Sequence, residues 1–190
     1  MGKKIFSFAF ISIISLFLIV SCASGGEIER HLDGATLAER WRFESGGAIN
    51  QVPLRVGDIL VFVPHNGTLT AVDALTGELR WELAEQDKVW ERAYATDGKL
   101  IFVGLEGGKL AAVESKSGKI RWTVVLGANM QMRPLVVGNM LYVPTTFVGA
   151  GLVPEPTGKA KLFALNTKNG REEWSFETDN YILQTPTLFG

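Results

Sequence analysis

Three stretches of this chain say nearly the same thing: "AVDALTGELRW" (residues 71–81), "AVESKSGKIRW" (112–122) and "ALNTKNGREEW" (164–174). The tryptophans that close them, with a forerunner at Trp41, stand at 41, 81, 122 and 174, with spacings of 40, 41 and 52 residues. A period near 40 marks a modular array in which each unit buries its apolar face only against its neighbours. The third spacing is the same period carrying an insertion, located in "TFVGAGLVPEPTGKAK", and a single connection is where an array tolerates one.

Each unit reads as four short strands. The first gives runs at 52–56, 59–63, 69–73 and 79–83, with Asn66-Gly67 expected as a two-residue type I′ hairpin. The second gives 91–95, 100–103, 110–113 and 120–126, with a turn at Glu106-Gly107-Gly108. The third gives 132–137, 141–143, 162–165 and 173–176, and 182–188 reads as the first strand of a fourth unit. A short helical turn is expected within "RHLDGATLAERW", ahead of Trp41. Four strands per 40 residues, with turn residues between them, is β-propeller blade spacing. The expected fold is therefore all-β, with four-stranded antiparallel blades.

The repeated phrase has a physical reading. Asp73, Glu114 and Asn166 end a third strand with a side chain that can accept hydrogen bonds from the following turn. Thr76-Gly77, Ser117-Gly118 and Asn169-Gly170 close the turn, the glycine supplying a positive φ that a β-carbon resists. Trp81, Trp122 and Trp174 then ride on fourth strands. Packed between blades, each indole would bury about 200 Å², several kcal/mol at roughly 25 cal/mol per Å². The expected role of the phrase is an inter-blade staple.

The N-terminus carries a different message. Lys3 and Lys4 precede an apolar run from Ile5 to Val20, and Ile19-Val20-Ser21-Cys22 follows. That is a charged region, an apolar region and a small-residue exit, the pattern of a secretory signal. A transmembrane anchor is the alternative, although sixteen residues fall short of the roughly 20 that span a bilayer. The only cysteine, Cys22, cannot form an internal disulfide. The reading places a signal at 1–21, a lipidated tether and leader at 22–40, and the repeat array at 41–190. With Lys3 and Lys4 gone, 17 basic residues face 20 acidic ones, a net of −3. That balance, with Lys and Arg dispersed, excludes a nucleic-acid partner of the electrostatic kind.

On these residues the chain resembles two known groups. Ile19 to Cys22 resembles a bacterial lipobox, which implies acylation of Cys22 and membrane attachment. Ala23 after the cysteine implies the outer membrane, facing the periplasm, in an organism that has one. The Ala-x-Asp-x-x-Thr-Gly-x-x-x-Trp pattern resembles the docking motif of PQQ-like, quinoprotein-type β-propellers. The first repeat matches every fixed position; the second and third vary it with Glu114 and Ser117, and with Asn166 and Asn169. The resemblance implies seven or eight blades, of which about three are present, so the chain is expected to be a truncated piece.

Three functions follow from the resemblance. A lipobox, a short tether and blades without evident cofactor ligands resemble the BamB lipoproteins. These are non-catalytic scaffolds that present propeller loops to protein partners during outer-membrane protein assembly. The alternative is a quinoprotein dehydrogenase using PQQ and calcium, which the missing vicinal cysteine pair weighs against. A propeller serving as sensor or substrate-binding protein is a third. No catalytic, cofactor or metal residue is assigned: Asp58, Asp73, Asp87 and Asp97 stand at turns or strand ends, and His31 and His65 are isolated. Asn66-Gly67-Thr68 matches a glycosylation sequon but reads as a turn. Arg92 and Arg133 are expected on channel-lining first strands. The insertion 148–158, with Pro154 and Pro156, is the candidate partner-contacting loop.

Overall fold

The computed structural model describes residues 6–8, 31–32, 35–36, 38–83, 88–130, 132–146, 160–180 and 182–189. Cys22 and the insertion 148–158 lie outside them. The repeat array forms three four-stranded antiparallel sheets. Ahead of it come β1 (Phe6–Phe8), β2 (His31–Leu32), β3 (Ala35–Thr36) and β4 (Trp41–Phe43). The first blade is β5 (Leu54–Val56), β6 (Ile59–Phe62), β7 (Thr70–Asp73) and β8 (Leu79–Glu82). The second is β9 (Val89–Thr96), β10 (Leu100–Leu105), β11 (Lys109–Glu114) and β12 (Ile120–Val125). The third is β13 (Leu135–Val137), β14 (Met140–Thr145), β15 (Ala160–Asn166) and β16 (Glu172–Thr178). Each blade is a meander whose strands pair in chain order.

Strand alternation divides every blade between two cores. In the second blade, Ile101, Val103, Ala111 and Val113 pack with Val61, Leu69, Ala71 and Trp81 of the first. Phe102, Leu110 and Ala112, one residue out of phase, pack with Leu141, Val143, Phe163 and Leu165 of the third. A strand with both faces covered loses the apolar/polar alternation of a surface strand, which is why β6 and β7 are buried at every position. A third core joins Leu60, Phe62, Val72 and Ala74 to Trp41 and Phe43. Strand β4 thus takes the fourth-strand place of a blade preceding the first. Its partner is β1, in the register Phe8↔Trp41.

Three expectations are corrected. No helical turn precedes Trp41 among the described residues; β2 and β3 pair there instead, in the register His31↔Thr36 and Leu32↔Ala35. The Asn66-Gly67 hairpin is a longer loop. Gly67 N–H donates to Pro64 O at 2.8 Å, so His65 and Asn66 are the central pair and Gly67, at φ +82°, follows them. Asn66 Oδ1 accepts from Thr68 N–H at 3.1 Å, so the side chain caps the turn instead of sitting in a type I′ pair. Residues 182–188 form no strand, because among the described residues no second strand lies beside them to complete a ladder.

Candidate functional site

The repeated phrase builds one turn three times. Asp73 Oδ1 accepts the amides of Leu75 (2.8 Å) and Thr76 (2.9 Å), and Gly77 N–H donates to Asp73 O. Gly77, Gly118 and Gly170 have φ of +74°, +69° and +70°. A bulge follows in every unit. Ala71 faces Trp81 while Val72 faces Leu79; Ala112 faces Trp122 while Val113 faces Ile120; Ala164 faces Trp174 while Leu165 faces Glu172. The skipped residues, Arg80, Arg121 and Glu173, turn back onto the turn, as bulges re-aim side chains. Arg80 Nη2 meets Asp73 Oδ2 at 2.5 Å, and Arg121 Nη1 meets Glu114 Oε1 at 3.1 Å. In the third unit the polarity reverses, with Asn166 Nδ2 donating to Glu173 Oε1 at 3.5 Å.

The indoles leave their own blade. Trp41 Nε1–H donates to Ala74 O (3.2 Å), Trp81 to Ser115 O (2.9 Å) and Trp122 to Thr167 O (3.1 Å), each acceptor lying in the next unit's turn. The ring lies flat over that turn's glycine. A β-carbon on Gly77, Gly118 or Gly170 would stand 2.4, 2.8 or 2.7 Å from the docked indole. The glycine is therefore required twice over, for its φ and for the approach of the ring. Trp174 meets no such turn among the described residues and is 45% exposed, against 8% for Trp81.

The Arg80 guanidinium and the turn amides hold the Asp73 carboxyl far below the usual carboxylate range. A depressed folded-state pKa gives stability that is present above the unfolded value near 4 and lost as pH falls below it. The expected result is a melting temperature that drops from pH 5 toward pH 2. Asp73→Asn, which removes the titration, should flatten that slope while lowering stability at pH 7. Thermal melts of the two proteins across that range measure it.

These turns are structural; the polar groups free for other work collect where the inner strands begin. His65 Nδ1 lies 2.6 Å from Glu91 Oε1, and Asn50 Nδ2 donates to Glu91 Oε2 at 3.3 Å, so a loop of the first blade is tied to the inner strand of the second. The sequence left His65 isolated. Its partner sits 26 residues away and comes near only through blade stacking. Arg92 is exposed on β9 and makes no ion pair among the described residues. Arg133 precedes β13 instead of lying on it, and its guanidinium covers the Tyr94 ring at 5.5 Å.

Tyr94 was not legible as special. It is fully buried, and its hydroxyl donates to Val52 O at 3.1 Å, so one side chain touches all three inner segments. The available signal was the spacing Pro53…Gly57 and Pro134…Gly138, which puts Tyr94 where its neighbours have proline. Burial pushes its phenol above the ordinary value, so it stays a neutral donor. Tyr94→Phe should cost only about 0.5–1 kcal/mol, since water can reach the carbonyl of exposed Val52. Urea melts of the variant check this.

The strand that carries these groups is irregular. Val103 faces Tyr94 and Leu105 faces Val89, leaving residues 90–93 opposite Gly104 alone. Such bulges gather beside functional sites because they point side chains out of the ladder. Here Trp90 Nε1–H is buried with no acceptor among the described residues. No group of three His, Cys, Asp or Glu side chains able to hold a metal occurs among the described residues.

The sequence pattern of the family described as outer membrane protein assembly factor BamB matches residues 30–93 and 65–188. The quinoprotein alcohol dehydrogenase PedE of Pseudomonas putida is 30% identical over 123 residues, 64% of this chain and 20% of that enzyme. A quinoprotein ethanol dehydrogenase of Pseudomonas putida is 26% identical over 149 residues, covering 77% and 24%. Among solved structures, BamB from Moraxella catarrhalis superposes with a TM-score of 0.58 at 22% identity, over 81% of this chain and 47% of that one. The quinohemoprotein alcohol dehydrogenase of Comamonas testosteroni gives 0.58 at 18% identity, over 69% and 21%. This chain thus spans less than half the length of the proteins it is similar to.

Proposed function

The chain belongs to the family described as outer membrane protein assembly factor BamB, and on that premise we propose that it is a non-catalytic scaffold of the cell envelope. The scaffold presents loops and strand ends of a rigid propeller to protein partners, outer-membrane protein assembly being the most specific assignment. Cys22, acylated, attaches it to a membrane, facing the periplasm where the organism has an outer membrane. The observation that carries the reading is the division of labour in the repeat. The turn carboxylate, its bulged arginine and the indole are consumed in holding blades together, and no group of three metal-ligating side chains occurs among the described residues.

The test is a fractionation. Cys22→Ser should release the protein from the membrane fraction, because two or three acyl chains hold firmly where none remains. The wild-type protein, captured from membranes after cross-linking, should bring an envelope assembly partner with it. A soluble wild-type protein that captures none would contradict both parts of the proposal.

A second reading, a portion of a PQQ- and calcium-dependent quinoprotein dehydrogenase, is favoured by the identity of the curated relatives. Exposed Arg92 is a donor suited to an anionic quinone. Calcium does not fit the described residues, since Glu91 is already held by His65 and Asn50 and no acidic group joins it. Alcohol oxidation with an artificial dye acceptor, after addition of PQQ and calcium, should stay at background; turnover would move the assignment to this reading.

A further inference from the structure

Asn-Gly occurs twice in the chain, at 66–67 and 169–170. With no β-carbon on the glycine to obstruct it, the glycine nitrogen of such a pair can close on the asparagine carboxamide. The fold fixes both glycines. Gly67 and Gly170 have φ of +82° and +70°, and an added β-carbon would stand 2.8 Å from Lys88 Cβ or 2.7 Å from the Trp122 ring. Both dipeptides are held alike. Asn66 Oδ1 accepts from Thr68 N–H and Asn169 Oδ1 from Arg171 N–H, while Gly67 N–H donates to Pro64 O and Gly170 N–H to Asn166 O, each at 2.8 Å.

What covers them differs. Gly170 is buried beneath the Trp122 indole, and its turn is closed by Asn166 N–H donating to Arg171 O and by the pair Leu165↔Glu172. Gly67 is half-buried beside exposed Asn66, and the ladder around it stops at Phe62 and Thr70. A segment held by fewer bonds opens locally at lower cost. We propose that Asn66 is a site of spontaneous covalent change in the folded protein, converting to aspartate and isoaspartate, and that the docked Trp122 ring shields the identical dipeptide at Asn169. The Gly67 nitrogen gives its proton to solvent and bonds to Asn66 Cγ; the Cγ–Nδ2 bond breaks and Nδ2 leaves as ammonia. Water then opens the five-membered imide at either carbonyl, and nothing is oxidised or reduced. The isoaspartate product carries one more methylene in the main chain, in the turn that sets His65 against Glu91 and Gly67 O against Val89 N–H at 2.9 Å. Conversion therefore loosens the loop that ties the first blade to the inner strand of the second, whether the propeller serves as scaffold or enzyme.

The experiment incubates the folded chain in mildly alkaline buffer and follows both peptides by mass spectrometry, with isoaspartate methyltransferase labelling the isomer. Asn66 should convert at least about tenfold faster than Asn169, whereas in concentrated urea the two rates should be comparable. In the aged fraction, separated by charge, the Val89 amide should exchange with deuterium faster than in fresh protein. Asn66→Ser, which keeps a side-chain oxygen for Thr68 N–H but has no carboxamide, should hold that amide slow throughout. Equal rates at Asn66 and Asn169 in the folded chain overturn the shielding by Trp122. An Asn66 that stays intact while the urea-unfolded chain converts overturns the proposal as a whole.

Discussion

Gly118→Val is expected to destabilise the array by about 2–5 kcal/mol, a large fraction of the stability of an ordinary domain. Two effects combine. A β-branched residue at φ +69° is held where L side chains are disfavoured, at roughly 1–2 kcal/mol. Its β-carbon would also stand 2.8 Å from the Trp81 ring, so the indole must leave its seat, and overpacking of this kind costs about 1–3 kcal/mol. Gly138→Ala separates the two effects. Gly138 has φ +58° with nothing within 4 Å of an added β-carbon, so only the backbone penalty of about 1 kcal/mol should appear. Chemical denaturation of the two variants measures the difference.

Trp81→Ala should cost about 3–5 kcal/mol, the range for removing a buried aromatic side chain. The ring belongs to the core that joins the first two blades, it is 8% exposed, and its N–H is the donor to Ser115 O. Trp174→Ala in the same chain should change stability by under about 1 kcal/mol, because that ring is nearly half exposed and meets no turn among the described residues. Two members of one repeat would then differ severalfold under the same substitution. Trp81→Phe isolates the polar part. It keeps an aromatic ring in place but leaves the Ser115 carbonyl without its donor, for about 1–2 kcal/mol in the same denaturation assay.

The blade architecture was readable because its signals are local. The phrase from Asp73 to Trp81 contains its own acceptor, its own glycine and its own indole, and the structure uses each within ten residues or at the next copy. The alanine that opens each copy of the phrase was also in plain view, and it is the cross-strand partner of Trp81, Trp122 and Trp174. What escaped was set by stacking. Tyr94 reads as one more β-former, yet it reaches Val52 on one side and Arg133 on the other. Glu91 meets His65 only because the first and second blades lie side by side. The 64–67 turn was misread because Asn-Gly favours a type I′ pair only when flanking strands close tightly on it, and here strand pairing stops at Phe62 and Thr70. Residues 182–188 have strand composition, but a strand exists only with a partner.

The account stands on an indole from one blade seating on the glycine turn of the next, and a double-mutant cycle between Trp81 and Gly118 tests that contact alone. With Trp81 present, Gly118→Ala should carry both the backbone penalty and the collision with the ring; with Trp81→Ala, only the first should remain. A coupling of at least about 1 kcal/mol from denaturation curves is the predicted result. Additive effects, within about 0.3–0.5 kcal/mol, would mean that ring and turn do not touch in solution, and would contradict it.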